Sequence, residues 1–510
     1  GLRTETAVEP ERGARRFKAA AWNDNQIFDF VKQSYLLTSR WLQSTVREVD
    51  GLDRRTAQKI DFYTRQFVEA LSPSNFVLTN PEVLRATMES GGENLIRGLN
   101  NLLTDLERGK GRLAIRMTDM KAFDVGKNIA VSPGRVVFRT DLMELIQYQP
   151  TTPTVRRAPL LIVPPWINKF YILDLRQENS FIKYAVDQGH TVFVISWVNP
   201  GDTLAAKTFD DYMLEGPIAA LEAIEKATGE PSVDIVGYCI GGTLLACTLA
   251  YIAAKGDKTL AARVKTATFL ASMVDFNDPG ELGVFIDEQQ LANLDESMGK
   301  RGYLEGNEMA AAFNMMRGTD LIWSFVVNNY LLGKEPFPFD LLYWNSDSTR
   351  MPAAMHAFYL RKMYHENKLS EPGGIALAGV PLDLRKIKVP TYIVATREDH
   401  IAPWKSAYHA TQLYSGPKRF VLAASGHIAG VVNPPAAKKY CYWENATLPK
   451  DADEWLAGSK PHEGSWWPDW DAWTKSDGGE DVPARVPGDG RLKALADAPG
   501  DYVRVRLMDS

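Results

Sequence analysis

The sequence predicts two parts, a mostly helical N-terminal domain followed by a larger domain of the α/β class. Apolar residues recur at helical spacing up to about residue 122, and after it short apolar runs alternate with helical segments. Such alternation is typical of parallel strands joined by helices, which form a layered α/β fold. Because domains usually have roughly 100–200 residues, the length of 510 residues also indicates more than one domain. We place the helical domain at 1–122 and the α/β domain at 123–510.

Composition narrows the function classes before any motif is considered. Hydrophobic residues make up 45% of the chain and charged residues 24%, which is typical of a globular protein. The net charge of -5 disfavours a nucleic-acid binder that works through phosphate contacts. Three cysteines exclude a disulfide scaffold and fit a reducing compartment. The apolar stretch 159–167 is too short to span a bilayer, so no transmembrane segment is expected.

The N-terminal domain shows helix signals and no catalytic constellation. Asn80 followed by Pro81 is typical of a helix start, with an N-cap and a proline in the first turn. The stretch 94–108 repeats leucine and isoleucine at helical spacing and is followed by glycines. We therefore expect one helix to begin at Pro81 and another to cover 94–108.

The α/β domain contains six apolar runs that predict buried strands. They lie at 159–163, 191–197, 233–237, 266–271, 389–395 and 419–424. Upstream, Ser132-Pro133-Gly134 between apolar stretches at 129–131 and 135–138 predicts a hairpin. Between the second and third runs, 210–226 predicts a helix that Gly229 ends.

Two regions do not follow this alternation. Residues 273–387 contain no comparable run and are rich in Asn, Met and aromatic residues. Because structureless loops of such length are rare in compact domains, we interpret this stretch as a helical cap inserted over the sheet.

From about residue 434 the chain becomes rich in Trp and Pro. We interpret 434–510 as a C-terminal segment whose tryptophans pack against the α/β domain.

One cysteine lies in a motif that predicts a nucleophile. The motif GYCIGG at 237–242 follows the predicted strand at 233–237 and precedes a helical run at 243–254. Strand, G-x-C-x-G and helix together form the nucleophile elbow of α/β-hydrolases, with Cys239 in place of serine. The N-terminus of the following helix favours the reactive thiolate. Cys247 and Cys441 are expected to be packing residues.

A base and an acid follow Cys239 in the order that α/β-hydrolases use. His427 comes directly after the last predicted strand, and Asp399 comes directly after the preceding one. Strand ends are where such a sheet presents catalytic side chains. Glu398 is a weaker candidate for the acid, and His400 is either a second pocket residue or merely a neighbour.

An acyl-transfer site also needs amide donors aimed at the developing oxyanion. Ile240, the residue after the nucleophile, is expected to supply one backbone N–H. The second is expected from the loop after the first predicted strand, 164–174. This loop lacks the glycines that lipases have there.

Six collinear motifs carry a family resemblance. Besides GYCIGG they are PPWINKFYILDL at 164–175, SWVNPG at 196–201, PFDLLYWN at 338–345, REDHIAPW at 397–404 and ASGHIAGVVNPP at 424–435. Matches at 72–83 and 89–95 extend the resemblance into the N-terminal domain. With these motifs the sequence resembles the polyhydroxyalkanoate synthases, bacterial enzymes that polymerise (R)-3-hydroxyacyl-CoA into storage polyester.

The resemblance implies roles for individual residues. Cys239 matches the family's nucleophile, Asp399 its acid and His427 its base. Ile240 supplies one oxyanion amide, and Ile172 is our choice for the other. No metal site is expected. Candidates for substrate binding lie in the same motifs and are His400, Asn168, Lys169, Tyr171 and Trp344.

The resemblance also implies the setting of the reaction. The expected architecture is an α/β-hydrolase fold with a large cap or lid insertion, preceded by the mostly helical N-terminal domain. The expected substrate is (R)-3-hydroxyacyl-CoA, above all 3-hydroxybutyryl-CoA, together with the growing polyester chain. No cofactor is expected, because CoA enters with the substrate and leaves as a product. A homodimer is expected in the cytoplasm, at the granule surface and beside granule-coating proteins.

Alternatives stay open at this point. The N-terminal domain makes the chain similar to the class I type, but class II, which takes longer side chains, is not excluded. A cysteine-dependent acyl-CoA thioesterase or dienelactone-type hydrolase would share the triad and release free acid. A granule-coating protein on the same fold would not need an intact triad. Lys169 and Arg397 either bind the CoA phosphates or are solvated, and the tryptophans of 466–473 either contact polymer or pack.

Overall fold

The structure is a computed structural model that describes residues 8–10, 15–476 and 478–506. Its α-helices are α1 (Ala21–Asp24), α2 (Gln26–Arg47), α3 (Arg54–Ala70), α4 (Pro81–Glu89), α5 (Glu93–Arg108), α6 (Phe181–Asp187), α7 (Phe209–Met213), α8 (Ala219–Thr228), α9 (Ile240–Lys255), α10 (Lys258–Ala261), α11 (Glu288–Arg301), α12 (Gly306–Met316), α13 (Asp340–Asn345), α14 (Ala353–Phe358), α15 (Trp404–Tyr408), α16 (Ala410–Leu413), α17 (Ala452–Ala457) and α18 (Trp467–Thr474). Shorter elements include a 3₁₀-helix over Phe170–Asp174 and a π-helix over Tyr359–His365.

Within these described ranges, eleven strands form one mixed sheet. They are β1 (Gly134–Arg139), β2 (Met143–Tyr148), β3 (Leu160–Val163), β4 (Val192–Trp197), β5 (Val233–Tyr238), β6 (Val264–Leu270), β7 (Thr391–Thr396), β8 (Lys418–Ala423), β9 (Cys441–Glu444), β10 (Lys460–Glu463) and β11 (Ala496–Asp497). Their order across the sheet is β10-β9-β8-β7-β6-β5-β3-β4-β2-β1-β11. Short strand pairs outside this sheet join Thr154–Arg156 to Asp481–Pro483, Tyr303–Leu304 to Met351–Pro352, and Ala376–Leu377 to Val380–Pro381.

The centre of the sheet is parallel. Strands β3 to β8 pair in parallel, while β1, β2, β9, β10 and β11 add antiparallel edges. The six apolar runs correspond to β3 to β8, so these predicted strands are confirmed. Their residues are almost all buried, because helices cover both faces of a parallel sheet. In parallel strands all carboxyl ends meet at one edge, which places the loops after β5, β7 and β8 together.

The predicted hairpin before the sheet is wrong. β1 begins at Gly134 and pairs with β2, whereas 129–131 lies outside the sheet. Ala130 has a positive φ of 54°, and its N–H donates to the carbonyl of Asp174. The N–H and the hydroxyl of Ser132 donate to the Asp174 carboxylate. These bonds hold the segment against the loop that follows β3.

The chain forms two compact units, one of residues up to 122 with 310–343, the other of 123–309 with 344 onward. The division after 122 coincides with the expected domain boundary. Part of the expected cap insertion, 310–343, belongs to the first unit. There the Asn101 amide donates to the Asn329 carbonyl at 3.0 Å, and the Tyr330 hydroxyl donates to Asp105 at 2.7 Å. Buried polar side chains thus hold this segment to α5, and an apolar pattern does not reveal them.

In the first unit, α2, α3 and α4 each begin after a residue whose side chain caps the helix. The Asn80 side chain accepts hydrogen bonds from the first N–H groups of α4, and Pro81 opens that helix, as predicted. The predicted helix at 94–108 is α5. Several large apolar side chains of this unit are exposed, among them Ile27, Trp41 and Leu78. No helix within the described ranges has both the length and the apolar composition that a membrane crossing requires.

The C-terminal segment of the second unit packs through its tryptophans. Trp455, Trp466, Trp467 and Trp470 are each at most 1% exposed. Trp466, Trp467 and Trp470 surround the Phe181 ring, with centroids 5.0–6.0 Å away. The packing interpretation therefore holds for these residues, and the alternative contact with polymer is not supported by their burial.

Candidate active site

Cys239 lies on a strained turn between β5 and α9. Its backbone angles are φ 55° and ψ -126°, a conformation that residues with a side chain rarely adopt. Its N–H donates to the Leu270 carbonyl, and its carbonyl accepts from the Gly242 N–H, both at 2.9 Å. This turn has the strained strand-to-helix geometry of a nucleophile elbow.

The glycines of GYCIGG are required by close approaches. A Cβ on Gly237 would lie 2.5 Å from the Cα of Gly242. A Cβ on Gly241 would lie 2.2 Å from the carbonyl oxygen of Val163, at the end of β3. A Cβ on Gly242 would lie 1.9 Å from the Ser272 hydroxyl oxygen. Larger residues at these positions would push the turn away from its neighbouring strands.

Asp399 and His427 form a buried pair on the loops after β7 and β8. The His427 Nδ1 lies 2.7 Å from the Asp399 Oδ2, and each residue is 8% exposed. The Thr396 hydroxyl donates to the same oxygen at 3.0 Å. The N–H groups of Ile401 and Ala402 donate to Oδ1 at 2.9 Å each. The carboxylate is therefore fixed on both oxygens, which orients the imidazole.

Burial distinguishes the two candidate acids. Glu398 is exposed, and its N–H donates to the Ser425 carbonyl at 2.9 Å. Asp399 is buried and bonded to His427. Of the two carboxylates that the sequence suggests as the acid, Asp399 is therefore the one hydrogen-bonded to His427.

His427 bridges the acid and the cysteine. Its side chain is hydrogen-bonded to Asp399 and interacts electrostatically with Cys239. Burial disfavours the charged imidazolium, but the negative charges of Asp399 and Cys239 outweigh it and raise the pKa of His427 well above 6.5. The structure therefore brings Cys239, His427 and Asp399 together in the order that a nucleophile, base and acid require.

Tyr238 is a site residue that the sequence did not single out. Its hydroxyl donates to the backbone carbonyl of His427 at 3.0 Å. Its ring stacks on the imidazole, with centroids 5.6 Å apart and planes 28° apart. Because Tyr238 directly precedes Cys239, one strand end positions the nucleophile and supports the base.

Two buried tyrosines of the cap segment interact electrostatically with the nucleophile. Tyr359 and Tyr364 are buried on the π-helix, and their rings meet edge to face at 5.4 Å. Burial raises the pKa of both hydroxyls, and the charge of Cys239 raises it further. Phe276 packs on Tyr364 at 4.9 Å. A cluster of buried aromatic side chains from the cap segment therefore lies within electrostatic range of Cys239.

The two predicted oxyanion donors, Ile240 and Ile172, lie in different secondary-structure elements. Ile240 is the first residue of α9, where backbone N–H groups have no acceptor within the helix. Ile172 lies fully buried in the 3₁₀-helix Phe170–Asp174. The end of β3 and the start of this loop approach the elbow closely, since a Cβ on Gly241 would lie 2.2 Å from the Val163 carbonyl oxygen and 2.7 Å from that of Pro164. Both oxyanion assignments stay predictions.

Three candidates for substrate binding join the loop after β3 to a neighbouring segment. The Asn168 amide donates to the carbonyls of Trp344 and Asn345 at 3.4 and 3.3 Å. The Tyr171 hydroxyl donates to Asp347 at 2.8 Å. The Trp344 indole donates to the backbone carbonyl of residue 169 at 2.7 Å. These bonds give the three side chains a structural role, and substrate contact stays a prediction for them.

Lys169 is buried and therefore poorly placed for CoA phosphates at the surface. Its ammonium donates to the Val505 carbonyl at 2.7 Å, and the residue is 3% exposed. Burial lowers the pKa of Lys169 to about 8. Arg397 is exposed and lies over the Trp443 ring at 4.8 Å. His400 is half-buried, and its carbonyl accepts from the Glu281 N–H at 3.1 Å. Their substrate contacts stay predictions.

The other cysteines are placed differently from Cys239. Cys247 is fully buried in α9, and burial raises the pKa of its thiol, which fits a packing residue. Cys441 begins β9 and is partly exposed. Cys239 is partly exposed as well, and it is the cysteine whose charge raises the pKa of His427.

Comparison with family models agrees with this architecture. A model described as Poly-beta-hydroxybutyrate polymerase (PhaC) N-terminus matches residues 13–185. A model described as alpha/beta hydrolase fold matches residues 159–434. The second match spans β3 to β8 and the elbow, and it confirms the predicted fold.

Named relatives match nearly the whole chain. A poly(3-hydroxyalkanoate) polymerase of Methylorubrum extorquens is 54% identical over 507 residues, which cover 99% of this chain and 83% of that one. The polymerase subunit PhaC of Rhizobium meliloti is 50% identical over 506 residues, covering 99% and 82%. That of Cupriavidus necator is 45% identical over 499 residues, covering 96% and 83%. On these matches the chain belongs to the poly(3-hydroxyalkanoate) polymerase family, enzymes built on the α/β-hydrolase fold.

Proposed function

We propose that this enzyme polymerises (R)-3-hydroxyacyl-CoA, above all 3-hydroxybutyryl-CoA, through a thioester on Cys239. The observation that carries the proposal is the buried pair of His427 and Asp399, interacting electrostatically with Cys239, at the carboxyl ends of the parallel strands β5, β7 and β8. A strained elbow, a buried base and a fully bonded acid are the parts that nucleophilic acyl transfer needs.

In the first step the acyl group moves from CoA to the enzyme. His427 takes the proton of the Cys239 thiol, and the thiolate attacks the thioester carbonyl. The N–H of Ile240, with that of Ile172 as the second donor, stabilises the oxyanion. The carbon–sulfur bond to CoA breaks, and the CoA thiolate takes the proton from His427. One thioester replaces another of similar energy, so the acyl group stays activated.

In the second step the chain grows by one ester bond. The 3-hydroxyl of an acyl unit is a poor nucleophile, so His427 removes its proton while Asp399 holds the imidazole. The alkoxide oxygen attacks the thioester carbonyl, the carbon–sulfur bond breaks, and the departing sulfur takes the proton. A serine in place of Cys239 would form an oxygen ester, which is lower in energy and resists further transfer. The proposed reaction needs no cofactor.

Water would divert the reaction to hydrolysis, so the site must exclude it. We take the buried aromatic side chains of the cap segment, Tyr359, Tyr364 and Phe276, as an aromatic border that keeps water from the site. This border also bears on the alternative thioesterase function, because a thioesterase needs water at the same carbonyl. We therefore favour the polymerase over the hydrolase for this site.

We also propose that the enzyme works as a homodimer at the surface of its polyester granule. Support comes from the exposed apolar side chains of the first unit, such as Ile27, Trp41 and Leu78, which suit an apolar surface. Sedimentation with polyester particles, compared between the wild type and Trp41→Lys, tests the granule contact. Sedimentation equilibrium without particles tests the dimer.

The function is tested by incubating the purified protein with (R)-3-hydroxybutyryl-CoA. Release of CoA is followed with a thiol reagent, and the acyl product is analysed, with Cys239→Ala in parallel. Release of CoA with insoluble polyester, absent in the variant, is the expected result. Release of CoA with free 3-hydroxybutyrate alone would identify a thioesterase and contradict the proposal.

A further inference from the structure

Two tryptophans of the C-terminal segment hold the loop that carries His427. The indole N–H of Trp466 donates to the Gly430 carbonyl, and that of Trp467 donates to the Val431 carbonyl, each at 2.9 Å. Both tryptophans are 1% exposed, and Gly430 and Val431 are buried. A buried carbonyl without a donor is costly. These two bonds therefore determine where this part of the loop lies.

A tight turn connects these carbonyls to the histidine. The Gly430 N–H donates to the Gly426 carbonyl at 2.8 Å, and the Val431 N–H donates to the Ile428 carbonyl at 3.1 Å. Residue 427 lies inside this turn. Gly430 also packs closely on Thr396, since a Cβ there would lie 2.4 Å from the Thr396 methyl carbon. A shift of the turn would thus reach both the imidazole and the side chain that bonds the Asp399 carboxylate.

Helix α18, which has Trp466 as its N-cap and Trp467 as its first residue, is anchored to the sheet by other side chains. The Trp470 indole donates to the Thr268 hydroxyl on β6 at 3.0 Å. The Asp469 carboxylate accepts from the Tyr392 hydroxyl on β7 at 2.6 Å and from Arg419 on β8. Because α18 is bound to three strands, it can act as a fixed point for the loop.

We propose that Trp466 and Trp467 are positioning residues whose indole N–H groups keep the His427 loop in place, so that the imidazole stays aligned with Asp399 and Cys239. The turnover assay of this inference rests on the proposed function. The alkylation assay depends only on the geometry of the loop. Neither tryptophan touches the reacting atoms. Each acts through a backbone carbonyl of the loop.

The test compares Trp466→Phe and Trp467→Phe with Trp470→Phe. Each change removes one buried indole N–H from the same segment, but Trp470 bonds to β6 and not to the His427 loop. Three quantities are measured: the melting temperature, kcat and KM with (R)-3-hydroxybutyryl-CoA, and the rate of iodoacetamide alkylation at Cys239 at about pH 7 and about pH 10. A Cys441→Ser background removes the other partly exposed thiol.

Similar losses in melting temperature are expected for all three variants. For Trp466→Phe and Trp467→Phe we expect kcat to fall about tenfold with KM within twofold, because small misplacements of a catalytic group are costly. Their alkylation at about pH 7 should fall severalfold, since a displaced imidazole stabilises the thiolate less, while the rate at about pH 10 stays the same. Trp470→Phe should keep both the turnover and the alkylation profile, because Asp469 still bonds α18 to Tyr392 and Arg419.

Two outcomes distinguish a failure of this inference from a failure of the proposed function. If all three variants lose stability equally and keep kcat and the pH dependence of alkylation, Trp466 and Trp467 are structural and the inference is wrong. If the alkylation profiles differ as expected but the wild type makes no polyester, the inference stands and the proposed function fails.

Discussion

Replacing Gly241 by alanine should disable the elbow while leaving the fold in place. A Cβ at this position would lie 2.2 Å from the Val163 carbonyl oxygen and 2.7 Å from that of Pro164. Both obstacles are backbone atoms, so no flexible side chain can turn aside. Since such contacts rarely fall below about 3 Å, the elbow and the loop after β3 must separate by about 1 Å. A misplacement of that size costs roughly a hundredfold in rate.

The assay is CoA release from (R)-3-hydroxybutyryl-CoA, with the melting temperature measured on the same preparations. Gly299→Ala is the matched control, because Gly299 lies in helix α11 and has no neighbour within 4 Å of an added Cβ. It should keep full activity and gain a little stability, since alanine favours helices. Full activity in a folded Gly241→Ala protein would refute the claim that the elbow depends on this close approach.

Three further predictions concern titratable groups of the second unit. Asp399→Asn should lower kcat by a factor of about 10³–10⁴. Glu398→Gln, which changes an exposed carboxylate, should leave kcat within twofold of the wild type. Equal losses in the two variants would contradict the assignment of Asp399 as the acid. Because the pKa of His427 is raised, the pair with Asp399 contributes stability that is fully present below about pH 6.5 and is lost as the pH rises through the folded-state pKa. The difference in melting temperature between the wild type and Asp399→Asn should therefore become smaller from pH 6 to pH 10. Burial lowers the pKa of His356 to about 4, so as the pH falls the unfolded chain takes up this proton before the folded protein does. The free energy of unfolding should therefore fall by up to about 3 kcal/mol between pH 6.5 and pH 4. His356→Leu should reduce this fall, and an unchanged slope of melting temperature against pH in the variant would contradict the prediction.

The central strands and the elbow were predictable because each has a local signature. Strands β3 to β8 are buried on both faces, so they read as continuous apolar runs. GYCIGG is recognisable because the close approaches at Gly237, Gly241 and Gly242 admit no side chain. The loops after β7 and β8 follow from the parallel topology, which brings Asp399 and His427 to the same sheet edge.

Other features depend on partners that are distant in the sequence. Strand β2 contains Glu144, which is buried because its carboxylate accepts the N–H groups of Asp501 and Tyr502 at 2.9 and 3.0 Å. A charged residue in a short run gives no strand signal by itself. The assignment of 310–343 to the first unit likewise depends on Asn101 and Asp105. Hydrogen bonds of this kind are specific in three dimensions and carry no periodic pattern.

The supports of His427 belong to the same class. Tyr238, Trp466 and Trp467 bond to backbone carbonyls of the loop that carries it. Tryptophan-rich composition predicts packing, but it does not say which carbonyl an indole N–H meets. The three candidate catalytic residues could thus be proposed from order and spacing, while the groups that hold His427 in place required the structure.

The most direct test of the account is the mass of the Cys239 peptide after reaction with (R)-3-hydroxybutyryl-CoA and acid quench. The account expects a 3-hydroxybutyryl group or a short oligomer on Cys239, removable by hydroxylamine as a thioester is. The adduct should be absent in Cys239→Ala and should form much more slowly in His427→Gln. Polyester formation with an unmodified Cys239, or an adduct on Cys441 instead, would contradict the claim that the chain grows from this cysteine.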